Sequence, residues 1–225
     1  MKRIIYSKFN KEAIHTLPQV LFPGRIIVVT TEKMAEKAVK FLLTQDILGV
    51  DTETRPVFRK GQSYQVSLFQ VATKEVCFLF RLNILGITPA IKLLLENTQT
   101  KMIGLSWHDD LLMLHKRSEF RKGYFIDLQD IVGELGIKDL SLQKLYANIF
   151  HQKISKRQRL TNWDQENLTD KQKLYAATDA WACIMLYEEI LRLKETGDYT
   201  FIPDEEENNA KQVKDDNQNH TAQKG

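Results

Sequence analysis

The chain has 225 residues, ordinary apolar content at 43% and a formal net charge of +3. That length suits one domain with a substantial core. The first fifteen residues, MKRIIYSKFNKEAIH, lack the apolar stretch of a secretory signal, and no apolar run approaches the ~18 residues a membrane span needs. Cys77 and Cys183 sit among apolar neighbours without metal or disulfide-framework spacing. The expectation is a soluble, cytoplasmic protein with buried free thiols. Charge is uneven: residues 201–225 carry six acids and three lysines, leaving a net +6 on residues 1–200. A modestly basic body is compatible with a polyanionic partner.

After an irregular start, Arg25–Thr30 reads as a strand, Glu32–Leu43 as a helix and Ile47–Glu53 as a central strand. YQVSLFQVA (Tyr64–Ala72) and EVCFLF (Glu75–Phe80) read as paired strands turning at Thr73-Lys74. Pro89–Glu96 is expected to be helical, Lys101–Leu105 a short strand, and Asp110–His115, Ile126–Leu135 and Leu140–Ile149 helices. In the last long helix, about Asp170 to Lys194, Leu174, Ala177, Trp181 and Ile184 recur at three- and four-residue steps. Strands clustered early and alternating with helices later suggest an α/β fold, a mixed sheet flanked by helices. Residues 1–200 form the expected domain. The polar, acidic segment 201–225 is expected to be disordered, with polar composition dominating from about Asp204.

Side chains able to share one site lie far apart in this order. Residues two apart on a strand share a face, so Asp51 and Glu53 of LGVDTET project together while Leu48 and Val50 face the other way. Residues four apart on a helix are neighbours, so Tyr175 and Asp179 of LYAATDAW also pair. An aspartate in SWHDDLLML completes the set. An unpaired acid amid YAATDAWACIML would be costly to bury. Four acids suit two hard cations, which take oxygen ligands and can clamp the attacking and leaving oxygens of a phosphodiester ~3.5–4 Å apart.

DTET, the HDDLLML run and SKRQRLTNWDQENLTDKQKLYAATDA together resemble the ribonuclease D and Werner-type branch of the DEDD exonucleases, in the sub-branch marked by a tyrosine (DEDDy). The resemblance runs from about Arg25 to Lys194, and its third motif, Asn162 to Ala180, is highly specific. It implies a ribonuclease H-like fold with a mixed five-stranded sheet. It also implies removal of nucleotides from the 3′ end of DNA or RNA with two divalent cations, Mg2+ or Mn2+. Carried over by motif position, Asp51, Glu53, Asp110 and Asp179 would bind metal. Tyr175 would position the attacking water, because a phenol of ordinary pKa about 10 is a poor base. Single-stranded 3′ ends are the implied partner, with no membrane and no obligate protein partner. Rival readings are a catalytically inactive nucleic-acid-binding scaffold of the same fold and a structure-specific endonuclease.

Other residues have plainer readings. Asp110, followed by Leu111 and Leu114, fits the family pattern better than Asp109, which suits the start of its helix as an N-cap. Asp127 suits a strand-to-helix junction, and His108 a structural histidine. Trp107, Trp163 and Trp181 suit core packing more than base stacking. Lys153, Lys156, Arg157 and Arg159, and likewise Arg55, Arg59 and Lys60, are open to being solvated runs or phosphate contacts.

Overall fold

A computed structural model describes residues 2–59 and 61–204. Its centre is a mixed sheet in the order β2-β5-β4-β3-β6-β7. The strands are β2 (Arg25–Val29), β3 (Ile47–Thr54), β4 (Val66–Ala72), β5 (Val76–Arg81), β6 (Lys101–Gly104) and β7 (Phe125–Asp127). The β3-β4-β5 meander is antiparallel, whereas β2 joins β5, and β6 and β7 extend from β3, in parallel. Thr73 closes the β4-β5 turn by accepting the N–H groups of Glu75 and Val76.

Helices cover both faces. Leu48 and Val50 of β3 point into one core with α1 (Glu32–Leu42), α3 (Pro89–Leu95) and α4 (Trp107–His115). The opposite face packs on α5 (Leu128–Val132), α6 (Leu142–Phe150) and α7 (Asp170–Thr196). A single-turn α2 (Leu82–Leu85) follows β5. α7 begins at a capping box in which Thr169 accepts Gln172 N–H and the Gln172 side chain accepts Thr169 N–H, and it stops at Gly197 with φ 64°. Among the described residues no helix is long and apolar enough to cross a membrane.

Four expectations change. The sheet has six strands rather than five, because three-residue β7 adds to its edge beside β6. Ile126 therefore belongs to a strand paired with Ile103, and the expected helix Ile126–Leu135 shrinks to α5 plus a 3-10 turn at Gly133–Leu135. The irregular start contains β1 (Arg3–Tyr6), which pairs in parallel with β8 (Tyr199–Ile202) to form a small second sheet. The expected domain boundary at residue 200 thus falls inside a strand: Phe201 packs on the core, and Asp204 pairs with Lys8 and Lys138. The rest of the expected tail, 205–225, lies outside the described residues.

Candidate active site

Two elements bring the acids together. β3 runs through the middle of the sheet and α7 crosses it so closely that a Cβ on Gly49 would lie 2.0 Å from the Ala180 carbonyl oxygen. Only glycine permits that approach. Asp51 and Glu53 stand on the same face as Gly49 and meet Asp179, the residue before Ala180. Carboxylate oxygens of Asp51, Glu53 and Asp179 lie within 4.8 Å of one another. Glu53 and Asp179 are buried, at 8% and 6% exposed, and Asp51 is half-buried.

Tyr175, one turn earlier on α7, sets its hydroxyl against Asp179. Its ring packs near Trp163, which is fully buried. The loop leading into α7 is pinned by buried Arg81, whose guanidinium donates to the Gln165 and Glu166 carbonyls.

Asp110 arrives from α4 and is held differently. Its carboxylate accepts a short hydrogen bond from the Thr52 hydroxyl, between Asp51 and Glu53 in sequence, and it stands outside the three-acid cluster. Its charge still reaches Asp51 and Glu53. Asp109 is exposed, and its charge reaches Asp110. The expected N-cap role of Asp109 is not what the structure shows, because α4 starts at Trp107, three residues before the expected Asp110. Ser106 occupies the cap position in a left-handed conformation, φ 62°. Asp127 caps α4 from outside, accepting the N–H groups of Ser106 at 3.0 Å and Trp107 at 2.7 Å, while capping its own helix through Gln129 N–H. The junction role expected for Asp127 therefore holds and extends to a second helix.

Burial raises the proton affinity of Asp51, Glu53, Asp110 and Asp179. Burial, then Asp110 and Asp179, push Asp51 well above the usual carboxylate range. Burial and the neighbouring acids do the same to Glu53, against the opposing pull of Arg159. Asp179 is raised to about 7 by burial, opposed by Tyr175 and Lys156. Asp110 is raised to about 6, also mainly by burial. Burial and the surrounding carboxylates push the Tyr175 phenol far up, so it stays protonated. Without cations the cluster resists full ionisation. The Asp179 Oδ1 atom is buried with no hydrogen-bond partner in the protein. Hard oxygen donors and an orphaned carboxylate oxygen fit a divalent cation.

A cavity of about 310 Å³ opens over the cage, with Asp51, Tyr175 and Asp179 on its floor and Lys156 and Arg159 on its wall. The basic run divides: Lys156 and Arg159 face this cavity, Arg157 lines another, and Lys153 donates to the His15 carbonyl. His108 is exposed and joins no acid cluster. All three tryptophans are buried, as core packing requires. Cys77 and Cys183 are buried free thiols. Lys60 lies outside the described residues. Sequence reasoning missed Gly49, Thr52 and the second cap made by Asp127. Of these only Gly49, a glycine inside a strand, left a signal.

The sheet with helices on both faces and acids at its central strand is a ribonuclease H-like fold. A family model described as 3′-5′ exonuclease matches residues 26–194, and the chain belongs to that family. It is 29% identical over 202 residues to the bifunctional 3′-5′ exonuclease/ATP-dependent helicase WRN of Mus musculus, covering 85% of this chain and 14% of the relative. It is 27% identical to ribonuclease D of Haemophilus influenzae, covering 80% of this chain and 45% of that one. The chain thus spans less than half the length of these two relatives. Among solved structures, the Aedes aegypti Nibbler EXO domain superposes with a TM-score of 0.68 at 20% identity, covering 76% of this chain and 89% of that one. Escherichia coli RNase D gives 0.68 at 18% identity, covering 76% and 45%.

Proposed function

We propose that this chain is a metal-dependent 3′-5′ exonuclease that hydrolyses single-stranded nucleic acid from its 3′ end and releases nucleoside monophosphates. The observation that carries this is the cluster of Asp51, Glu53 and Asp179 within 4.8 Å, beneath a cavity walled by Lys156 and Arg159. Asp51, Glu53, Asp179 and Asp110 would hold two divalent cations, Mg2+ or Mn2+. Cations bound there supply charge neutralisation, an activated water and stabilisation of the leaving oxygen.

The protein's own groups do the rest. Tyr175, kept protonated beside Asp179, offers its oxygen lone pair to orient the attacking water. Lys156 and Arg159 meet the phosphate and offset the acids around it. Burial of Glu53 and Asp179 keeps bulk water from screening these charges. The Escherichia coli structural neighbour is described as an exoribonuclease involved in structured RNA processing; because the acids and cations act on the phosphodiester rather than the 2′-hydroxyl, DNA and RNA are both offered as substrates. Buried free thiols suit a reducing, cytoplasmic compartment.

The test uses 5′-labelled linear strands of DNA and RNA, a duplex with recessed 3′ ends, and a circular single strand, each with magnesium and with manganese. A ladder shortening one nucleotide at a time, with the circle intact, is expected. Binding without cleavage would point to an inactive scaffold, and a nicked circle to an endonuclease.

A further inference from the structure

A second groove, about 470 Å³, opens beside the cage and is not used by the chemistry just described. Arg55, Phe58, Arg59 and Tyr64, from the segment between β3 and β4, form one side; Leu160 and Asn162, from the segment leading to α7, form the other. Arg55 is two residues beyond Glu53, about 7 Å of extended chain. Leu160 is bonded to Arg159, which lines the first cavity, so this short segment separates the two hollows.

The groove exposes unusual chemistry. Phe58 is 81% exposed and Leu160 67%, the two largest values among the large hydrophobic residues described. The Arg55 guanidinium lies 4.8 Å over the Tyr64 ring. Among the described residues, two arginines and no acid line it. An exposed ring, Phe58, beside two exposed arginines matches a strand whose bases are unstacked and whose phosphates lie alongside. A duplex hides its base faces, and an acidic peptide has no base to stack.

We infer that this groove binds the single-stranded nucleic acid immediately 5′ of the terminal nucleotide, with a base on Phe58 and phosphates at Arg55 and Arg59. The inference deepens the exonuclease reading and rests on it for the strand's direction. The groove holds the strand by stacking and charge, while the cage holds only its end. A substrate too short to reach the groove is therefore a poor one.

The full chain is tested for binding to a fluorescein-labelled oligothymidylate with a 3′-terminal phosphorothioate linkage, in calcium, by fluorescence anisotropy over a range of salt. Phe58→Ala should weaken binding roughly 5- to 150-fold with an unchanged salt slope, and Phe58→Trp should restore it. Arg55→Gln should make the slope of log affinity against log salt shallower by about 0.7, the signature of one lost phosphate contact on a single strand. Both side chains are exposed, and melting curves confirm that the variants fold. Wild-type binding by both variants, a wild-type chain that does not bind the strand, or displacement by polyglutamate as effective as by oligothymidylate would overturn the inference. The outcomes separate from the exonuclease test. Unchanged binding in variants of a wild type that digests 3′ ends removes only the groove, whereas the expected binding pattern without digestion removes only the exonuclease.

Discussion

On the α7 side of the cage, Asp179 reaches Asp51 and Glu53 because Gly49 lets a helix backbone rest on a strand. On the α4 side, Asp110 is held by the Thr52 hydroxyl, on a helix whose first N–H groups are tied to Asp127. The first side is positioned by close packing, which is stiff and costly to disturb. The second is positioned by a few hydrogen bonds, each worth about 0.5–1.5 kcal/mol, or more where charged. Three acids are accordingly preassembled, while the fourth is engaged with Thr52.

The largest effect should come from the packed side. Asp51→Asn with Glu53→Gln should abolish turnover on a 5′-labelled strand while circular dichroism shows the fold intact; near-normal rates would refute the cage. Tyr175→Phe should lower the rate about 10²–10⁴-fold, the usual scale for a positioned proton-handling group, with metal affinity by calorimetry little changed. Gly49→Ala should cost about 1–3 kcal/mol in a denaturant melt through overpacking, and should lose activity as α7 is displaced. If Gly49→Ala is neutral, close packing does not position Asp179.

The hydrogen-bonded side should break more gently and more selectively. Asp127→Ala removes acceptors for the N–H groups of Ser106, Trp107 and Gln129, so about 1–2 kcal/mol of stability should go, together with part of the activity through misplaced Asp110. Asp109→Ala, at an exposed position, should fall within about 0.5 kcal/mol of wild type. The reverse order in melting experiments would mean that Asp109, not Asp127, secures α4.

Much of this was legible in local spacing. The two-residue step from Asp51 to Glu53 and the four-residue step from Tyr175 to Asp179 each fix a shared face without reference to any other element. What local pattern cannot carry is pairing across the chain. β1 is only four residues and exists because Tyr199–Ile202 returns beside it. β7 is three residues and reads as the first turn of a helix until Ile103 claims Ile126. The start of α4 was misplaced for the same reason: its cap is a side chain twenty residues downstream rather than Asp109.

The linkage of stability to protons and cations gives the central claim its most direct test. Asp51, Glu53, Asp110 and Asp179 have folded-state proton affinities raised above those of free carboxylates. Above the ordinary carboxylate range, through the values of about 6 for Asp110 and about 7 for Asp179, the folded chain therefore holds more protons than the unfolded one, and the metal-free protein loses stability as pH rises. Bound cations should restore it, by about 2.7 kcal/mol at a hundredfold excess over the dissociation constant. The deciding measurement is the melting temperature at pH 8 with and without saturating manganese, in wild type and in the Asp51→Asn, Glu53→Gln variant. A clear rise in wild type that is largely absent from the variant is the expected result. An equal rise in both, or none in either, would contradict the assignment of these acids as the metal site.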